Sequence, residues 1–476
     1  MKRVIYLVHR WTAIAMCLLL ALWFGSGIVM LFIGYPKLMP AERLAALPAL
    51  PAQGCCADVA GALADVTLTS IRGQPHFVMR ARDGGLQVVN AASGKVAGAV
   101  GPAAALAGAR AFGGGVPAAY AGLVTEDRWT HSRGLNPHRP LHVVELQDAA
   151  ATRVYVSSST GQVVLDATRA ERAWNYVGAW LHWLYMLRSQ PIDPVWTWTI
   201  IGLSGIGVLS AVTGIVNGLW RWRFRGRYKS GARTPYRETF MRWHHLLGLT
   251  FGAILFTWIF SGLMSMNPVG VFDAGRAPDM VAYRGGSVAA VRPGDAMRLL
   301  RAAGFAPVEL EWRVLDGQPF ILARDSLDRT RLVVGHQVLE RWPAARLRHA
   351  AARLLSAHVV AEETLTRHDA FYYARGSASM YGGDARALPV VRFAFDDPGA
   401  TLVYVDPRTG EVALSVDKAQ RTGRWLFNLL HSWDLPVLLG GGWVREAVLI
   451  LLSAGGLLLS GTGIVIGIRR VRARAG

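Results

Sequence analysis

The chain has 476 residues, 52% hydrophobic and only 17% charged, with a formal charge of +19. A soluble chain of this size carries about 25% charged residues, so the deficit argues against a wholly soluble protein and for membrane segments. A basic balance can mark a nucleic-acid partner, but the positions of the Lys and Arg residues give it another meaning, and no nucleic acid is expected.

Four apolar stretches reach the roughly 20 residues that cross a bilayer. They run over Trp11–Ile33 and, approximately, over Val195–Trp220, Leu246–Met266 and Trp443–Ile468. The first is too long for the apolar part of a signal peptide and reads as an uncleaved anchor. Lys and Arg near span ends set orientation. The stretch between the second and third spans holds Arg221, Arg223, Arg225, Arg227, Lys229, Arg233, Arg237 and Arg242 against the single acid Glu238. Lys2, Arg3 and Arg10 precede the first span, and Arg469, Arg470, Arg472 and Arg474 follow the fourth. With four crossings all these fall on one side, the cytoplasm, and the lipid bilayer is the first partner.

The chain then divides into a first span (1–33), an outer segment (34–172), an interfacial helix with the second span (173–220) and a basic cytoplasmic loop (221–242). The third span (243–266), a second outer segment (267–421), an interfacial helix with the fourth span (422–468) and a cytoplasmic tail (469–476) complete it. Both outer segments mix β-branched alternation with turn residues, as in RVYVSSSTGQVV and TLVYVDPRTGEV, which read as hairpins. Pro343–His358 reads as a helix, and each segment as α+β. Three Cys build no disulfide framework. Cys55 and Cys56 are adjacent and read as two thiols, with a vicinal disulfide as the alternative; Cys17 lies in the first span.

An internal repeat runs through the chain. Tyr155-Val156 with Thr160-Gly161 matches Tyr404-Val405 with Thr409-Gly410, at an offset of 404 − 155 = 249. That offset carries Arg172 onto Arg421, His182 onto His431, and Thr213-Gly214-Ile215-Val216 onto Thr462-Gly463-Ile464-Val465. His9, Trp23, Ser26 and Gly27 fall on His244, Trp258, Ser261 and Gly262, at an offset of 244 − 9 = 235. The first and third spans both run outward, so the halves read as two parallel pseudo-repeats about an axis along the membrane normal.

The middles of the four spans contain no His, whereas His9 and His244 sit at their cytoplasmic mouths and His182 and His431 on aromatic stretches at the outer interface. An interfacial His is usually an ordinary hydrogen-bonded group. Retention at matched positions argues instead for pairs, His9 with His244 and His182 with His431, each holding one metal on the symmetry axis. Haem iron takes axial His. Non-covalent haem b, two per chain, would also use the small residues Gly25, Ser26, Gly27, Gly202, Gly205, Ser261 and Gly262, with Arg10, Arg172, Arg242 and Arg421 as candidate propionate partners. No C-x-x-C-H is present for covalent attachment. His245 points about 100° from His244 on a helix and is the alternative ligand if the register shifts by one. His131, His138, His142, His358 and His368 show no metal spacing.

VHRW at 8–11, WHHLLG at 243–248, the LHW and LHSWD segments, and ALPVVRFAFDDPGATLVYVDPRTGEV at 387–412 resemble the PepSY-associated transmembrane family over nearly the whole chain. The resemblance implies two extracytoplasmic PepSY-like α+β domains on an all-α bundle of four transmembrane helices, in the bacterial inner membrane. It also implies bis-His haem, since some members resemble ferric-siderophore reductases of iron uptake. The first half lacks the Asp-Pro-Arg of the second-half turn. The expected activity is a haem b oxidoreductase passing electrons to a periplasmic ferric siderophore or other ferric chelate, fed by quinol or a cytoplasmic reductase. A haem-free scaffold that binds an envelope peptidase or partner is the rival reading, and a transporter is disfavoured by spans without ionisable residues at mid-membrane.

Overall fold

A computed structural model describes residues 1–51, 55–63, 65–80, 85–189, 193–374 and 386–475. The chain opens with helix α1 (Lys2–Met30) and continues into strands β1 (Val59–Leu63), β2 (Asp65–Ile71), β3 (Gln74–Arg80) and β4 (Leu86–Asn90). Helix α2 (Pro102–Phe112) precedes β5 (Ala118–Val124), β6 (Leu141–Leu146), β7 (Arg153–Ser157) and β8 (Val163–Ala167). Then come α3 (Arg169–Asn175), a π-helical turn (Tyr176–Trp180) and α4 (Pro194–Arg221).

The second half begins with α5 (Thr239–Ser265), β9 (Val288–Val291), α6 (Pro293–Ala302), β10 (Glu309–Leu315), β11 (Gln318–Arg324), β12 (Thr330–Val334) and β13 (Gln337–Leu339). It continues with α7 (Ala344–Ala351), β14 (Val359–Leu365), β15 (Val390–Phe395), β16 (Leu402–Asp406) and β17 (Glu411–Val416). It ends with α8 (Lys418–Gly423), a second π-helical turn (Arg424–Leu429) and α9 (Val444–Ala475).

The four helices α1, α4, α5 and α9 are long and apolar enough to cross a membrane. They pack in a ring, α1 and α5 each lying against both α4 and α9. Met16, Leu20, Phe24, Ala211, Leu255, Ile259 and Leu459 fill its centre. Leu18, Ile206, Leu209, Leu451 and Leu458 face outward and are exposed, giving the apolar belt that lipid requires. Helices α1 and α5 begin about nine and seven residues before the apolar stretches that mark them. Their first turns are basic and polar, which hydropathy does not see, and His9 and His244 consequently sit inside helices. Asp193 caps α4 by accepting from Trp196 N at 3.0 Å, and Glu238 caps α5 by accepting from Met241 N at 2.7 Å.

The outer segments are joined more closely than chain order suggests. A seven-stranded sheet runs β13-β12-β11-β10-β2-β3-β4, and its central pair joins β10 of one segment to β2 of the other, antiparallel, with Leu310 opposite Leu68. Strand β1 likewise pairs with β9. Amphipathic α6 packs Ala296, Met297 and Leu300 onto this sheet beside Phe77 and Trp312. Two four-stranded antiparallel sheets, β5-β6-β7-β8 and β14-β15-β16-β17, complete the domains. Ala105 and Ala109 of α2 pack on the first, and Leu347 and Ala350 of α7 lie in the core beneath the second. Both hairpins and the Ala-rich helix fall where the residue pattern predicts them, the helix ending earlier, at Ala351.

Cys55 and Cys56 form a vicinal disulfide, not the two thiols favoured above. The pair packs at the edge of the core around Leu50, and Cys56 takes a left-handed φ of 98°. Adjacent cysteines can close this ring only with the backbone turned between them, which spacing motifs do not encode.

Candidate functional site

Each histidine pair is brought together across the bundle. The rings of His9 and His244 lie 6.3 Å apart between centroids, and those of His182 and His431 lie 6.2 Å apart. The first pair joins α1 to α5 at the end that carries the 222–238 loop. The second joins the two interfacial segments at the end that carries the sheets. Ser26, which touches His182, stands 17 residues beyond His9 on α1 (26 − 9), or about 25 Å at 1.5 Å per residue.

The hydrogen bonds of these rings fix their tautomer. His182 Nδ1 lies 3.0 Å from Ser26 Oγ, whose own hydrogen is directed to Leu22 O at 2.7 Å. The hydroxyl is therefore the acceptor, and Nδ1 carries the proton. His431 Nδ1 lies 3.0 Å from Ser261 Oγ, which donates to Trp258 O. His244 Nδ1 lies 3.0 Å from Thr462 Oγ1, which donates to Leu459 O at 2.7 Å. His9 Nδ1 donates to Ser210 O at 3.0 Å. In all four rings Nε2 is left as the lone-pair nitrogen, and Nδ1–H is anchored as in a metal-ligating imidazole.

The elements that aim these rings are local. The π-helical turns at Tyr176–Trp180 and Arg424–Leu429 each lead into a histidine segment, and Leu184 and Trp433 then take left-handed backbone with φ 52° and ψ 42°. A π turn rotates the residues after it relative to an α-helix, as at many functional sites. The second segment is pinned by Arg424, whose Nη1 donates to Asp434 at 2.6 Å in a fully buried ion pair. Helix α4 carries Gly214 at the His9 ring; a Cβ there would fall 2.7 Å from Cε1. Gly463, Gly27 and Gly262 stand against the rings of His244, His182 and His431 in the same way, at 3.5–3.7 Å.

Each pair opens into a cavity of about 450 Å³. The sheet-side cavity is walled by Trp23, Trp258, Phe24 and Ile259, and the loop-side cavity by Ala13, Ile14, Cys17 and Leu255. Leu20 lines both. Two imidazoles paired at this distance beside a largely apolar cavity are an arrangement that could hold a cation. Two metal–nitrogen bonds of about 2.0–2.1 Å, with about 1.1 Å from each nitrogen to its ring centre, would span a comparable distance. Among the described residues no group of three or more His, Cys, Asp or Glu could hold a metal ion. The residues present, two imidazoles at each largely apolar cavity, would fit haem.

Arg10 lines the loop-side cavity, its guanidinium over Tyr6 and Trp11 and its buried Nε without a partner. That suits a propionate. Arg242 is exposed and lines neither cavity. Arg172 donates to Ala167 O and to Ala151 O (3.0 Å), and Arg421 to Ala400 O (2.6 Å) and Val416 O (3.3 Å). Both brace strand ends in the outer domains, so their matched positions reflect a shared structural task. His245 has both nitrogens engaged, Nδ1 with Thr234 Oγ1 at 2.7 Å and Nε2 with Gly218 O at 2.9 Å. It is a bracing residue, not an axial one. Of the small residues, Gly202 and Gly205 face open space.

Sequence reasoning passed over Arg445, Arg469 and Arg470. Arg445 borders the sheet-side cavity and donates to Ser432 O at 2.6 and 2.9 Å; Arg469 and Arg470 border the loop-side cavity. The last two were absorbed into the basic topology signal, which hid any local role. The remaining histidines are dispersed: His142 joins Tyr120 and Val100 O, His138 joins Ser157, His358 pairs with Asp396, and His368 reaches Arg386 O.

Curated proteins give no match to the chain. The family model described as the PepSY-associated TM region matches residues 6–470, nearly its whole length. With four spanning helices around paired histidines and sheet domains beyond them, this multi-pass membrane protein belongs to the PepSY-associated TM region family.

Proposed function

We propose that this protein is a haem b oxidoreductase of the bacterial inner membrane that passes electrons outward to a ferric chelate in the periplasm, in the service of iron acquisition. The single observation that carries the reading is the repeated arrangement: four rings with Nδ1 anchored by a hydrogen bond, paired at 6.2–6.3 Å. His9 and His244 hold the loop-side haem, with Arg10 at a propionate, and His182 and His431 hold the sheet-side haem. Haem bound there supplies reversible one-electron chemistry at its iron. The protein fixes the four rings through Ser26, Ser261, Thr462 and Ser210 O, excludes water with the apolar walls, and places Leu20 in the wall of both sites.

The donor, a quinol or a cytoplasmic reductase, meets the loop side. The acceptor meets the sheet side, where His182 and His431 would together hold the iron, so that transfer to the chelate would be outer-sphere. Reduction releases iron because Fe(II) binds hard oxygen chelators more weakly. The ordered correspondence of α1, β1–β8 and α4 with α5, β9–β17 and α9 supports the duplication read from sequence, and the outer domains are then PepSY-like.

Purified protein from haem-replete cells is expected to show a Soret band and sharp reduced α-bands; colourless protein rejects the reading. Dithionite-reduced protein is expected to be reoxidised by ferric hydroxamate, catecholate or carboxylate chelates, with Fe(II) captured by ferrozine. Indifference to all three classes, with fast reaction toward another acceptor, rejects the ferric part alone.

A further inference from the structure

A further cavity lies outside the membrane helices. It is a cleft of about 730 Å³ between the segment after α1, the turn at Arg133–His138, and the faces of β2, β3, β8 and β10. Its size falls within the roughly 300–1,000 Å³ of small-molecule sites. Trp183, the residue after His182, lines both this cleft and the sheet-side histidine cavity. The cleft is thus one aromatic ring from the outer pair.

Around Trp183 the wall is aromatic. Tyr35 stacks on it at 5.6 Å, Tyr185 meets it edge-on at 5.4 Å, and His131 meets Tyr185 at 4.6 Å. Two polar atoms in this wall are buried and have no partner among the described residues: Tyr35 Oη and His131 Nε2. His131 Nδ1–H donates to Glu126, which leaves Nε2 as an acceptor, while Tyr35 Oη offers a donor. A buried polar group left unpaired costs about 1–3 kcal/mol, so each calls for a partner from the cleft. The acidic wall residues are already neutralised. Glu309 takes two bonds of 2.7 Å from Arg43, and Glu311 is held by Arg313 and Arg324. Neither competes with a chelator for ferric iron.

We propose that this cleft docks the terminal acceptor, an amide- or hydroxamate-bearing ferric chelate, with the Trp183 ring between it and the His182–His431 pair. The inference rests on the reading of that pair as the electron-delivering site. Carbonyl oxygens of the chelate accept from Tyr35, its N–H or O–H groups donate to His131 Nε2, and its organic shell lies on the aromatic wall. One electron moves from the reduced protein to Fe(III), giving Fe(II) and oxidised protein, and no bond is made or broken in that step.

The test uses the full-length holoprotein and a gallium(III) trihydroxamate chelate, which has the shape of the ferric complex but accepts no electron. Calorimetry is expected to show binding to the wild type. Val164→Trp, which fills the cleft from β8, is expected to weaken it at least about tenfold. Tyr35→Phe, which removes one donor, is expected to weaken it about five- to tenfold, as for a hydrogen bond of about 1–1.5 kcal/mol. Both variants should keep the haem spectrum, which separates lost binding from lost fold. No binding to the wild type, or equal binding to all three proteins, overturns the cleft assignment. Gallium binding that is lost in both variants, with no reduction of the ferric analogue by wild type, upholds the cleft and rejects the electron-transfer reading instead.

Discussion

His182 Nδ1 lies 3.0 Å from Ser26 Oγ, a hydroxyl whose hydrogen is held by Leu22 O, so Nδ1 donates and the ring is held in place. Partners of this kind typically change metal affinity 10–100-fold when removed. Ser26→Ala is therefore expected to weaken haem retention at the sheet-side pair by about that factor, measured by haem transfer to an apo-acceptor. Ser26→Thr should restore it. Loss from the loop-side pair instead would contradict the pairing.

Pairing across the bundle makes a second expectation. His182→Ala and His431→Ala should lose the same haem, and His9→Ala and His244→Ala the other. Pyridine haemochrome content should halve in each, and the two classes should keep different α-bands. His245→Ala should keep both haems, because its nitrogens are engaged with Thr234 and Gly218 O. If His9→Ala and His182→Ala removed one common haem, each half of the chain would be its own site.

Gly214 gives a steric test that leaves every ligand in place. A Cβ there would fall 2.7 Å from His9 Cε1, closer than real contacts allow. Gly214→Leu should displace the His9 ring and cost the loop-side haem, while the sheet-side spectrum persists. Gly202→Leu, on the same helix with nothing within 4 Å of its Cβ, is the control. Equal spectra for the two variants would show that the loop-side cavity is not filled as proposed.

The spans and the histidine pairs were legible in the sequence for physical reasons. A bilayer demands about 20 apolar residues in a row, and no other constraint imitates that. Matched His residues at equal depth could be paired without knowing any contact. What stayed hidden depends on distant pairing or backbone detail. Leu310 meets Leu68 across a gap of 242 residues (310 − 68), and no local pattern announces that the two outer segments share a sheet. The π-helical turns before His182 and His431 carry no residue signature of their own. Arg172 and Arg421 show the converse error: matched positions recur for structural reasons too, and here the guanidiniums hold backbone carbonyls.

Asp166 on β8 offers a pH test in the outer domain. Burial, with added repulsion from Glu42 and Glu171, pushes its carboxyl up to about 6 from 3.8. The unfolded chain ionises first, so Asp166 destabilises the fold above pH about 6, and the penalty fades as pH falls toward 3.8. Asp166→Asn should then stabilise the protein at pH 8 by about 1 kcal/mol after solvent screening, or about 1 °C in Tm for a chain of this length. At pH 4.5 the gain should shrink. An equal gain at both pH values would remove the carboxylate from the explanation.

In the proposed function, orientation decides which histidine pair would face which partner, and it rests on charge. The described ends of α1, α4, α5 and α9 away from the sheets carry Lys2, Arg3, the run Arg221–Arg242, and Arg469, Arg470 and Arg472. Helix packing alone is indifferent to inversion, since turning the whole bundle over leaves every internal contact intact. The Lys and Arg bias near the span ends is the feature that breaks that tie, and on it this end is expected to be cytoplasmic. The opposite end, with the sheets, the Trp183 wall and the His182–His431 pair, is then expected in the periplasm. Alkaline phosphatase, active only outside the cytoplasm, should be active when fused after Ala400, in the turn between β15 and β16, and inactive when fused at Gly476. The reverse result would put the sheet-side pair next to cytoplasmic donors and make the direction of electron flow the opposite of the one proposed.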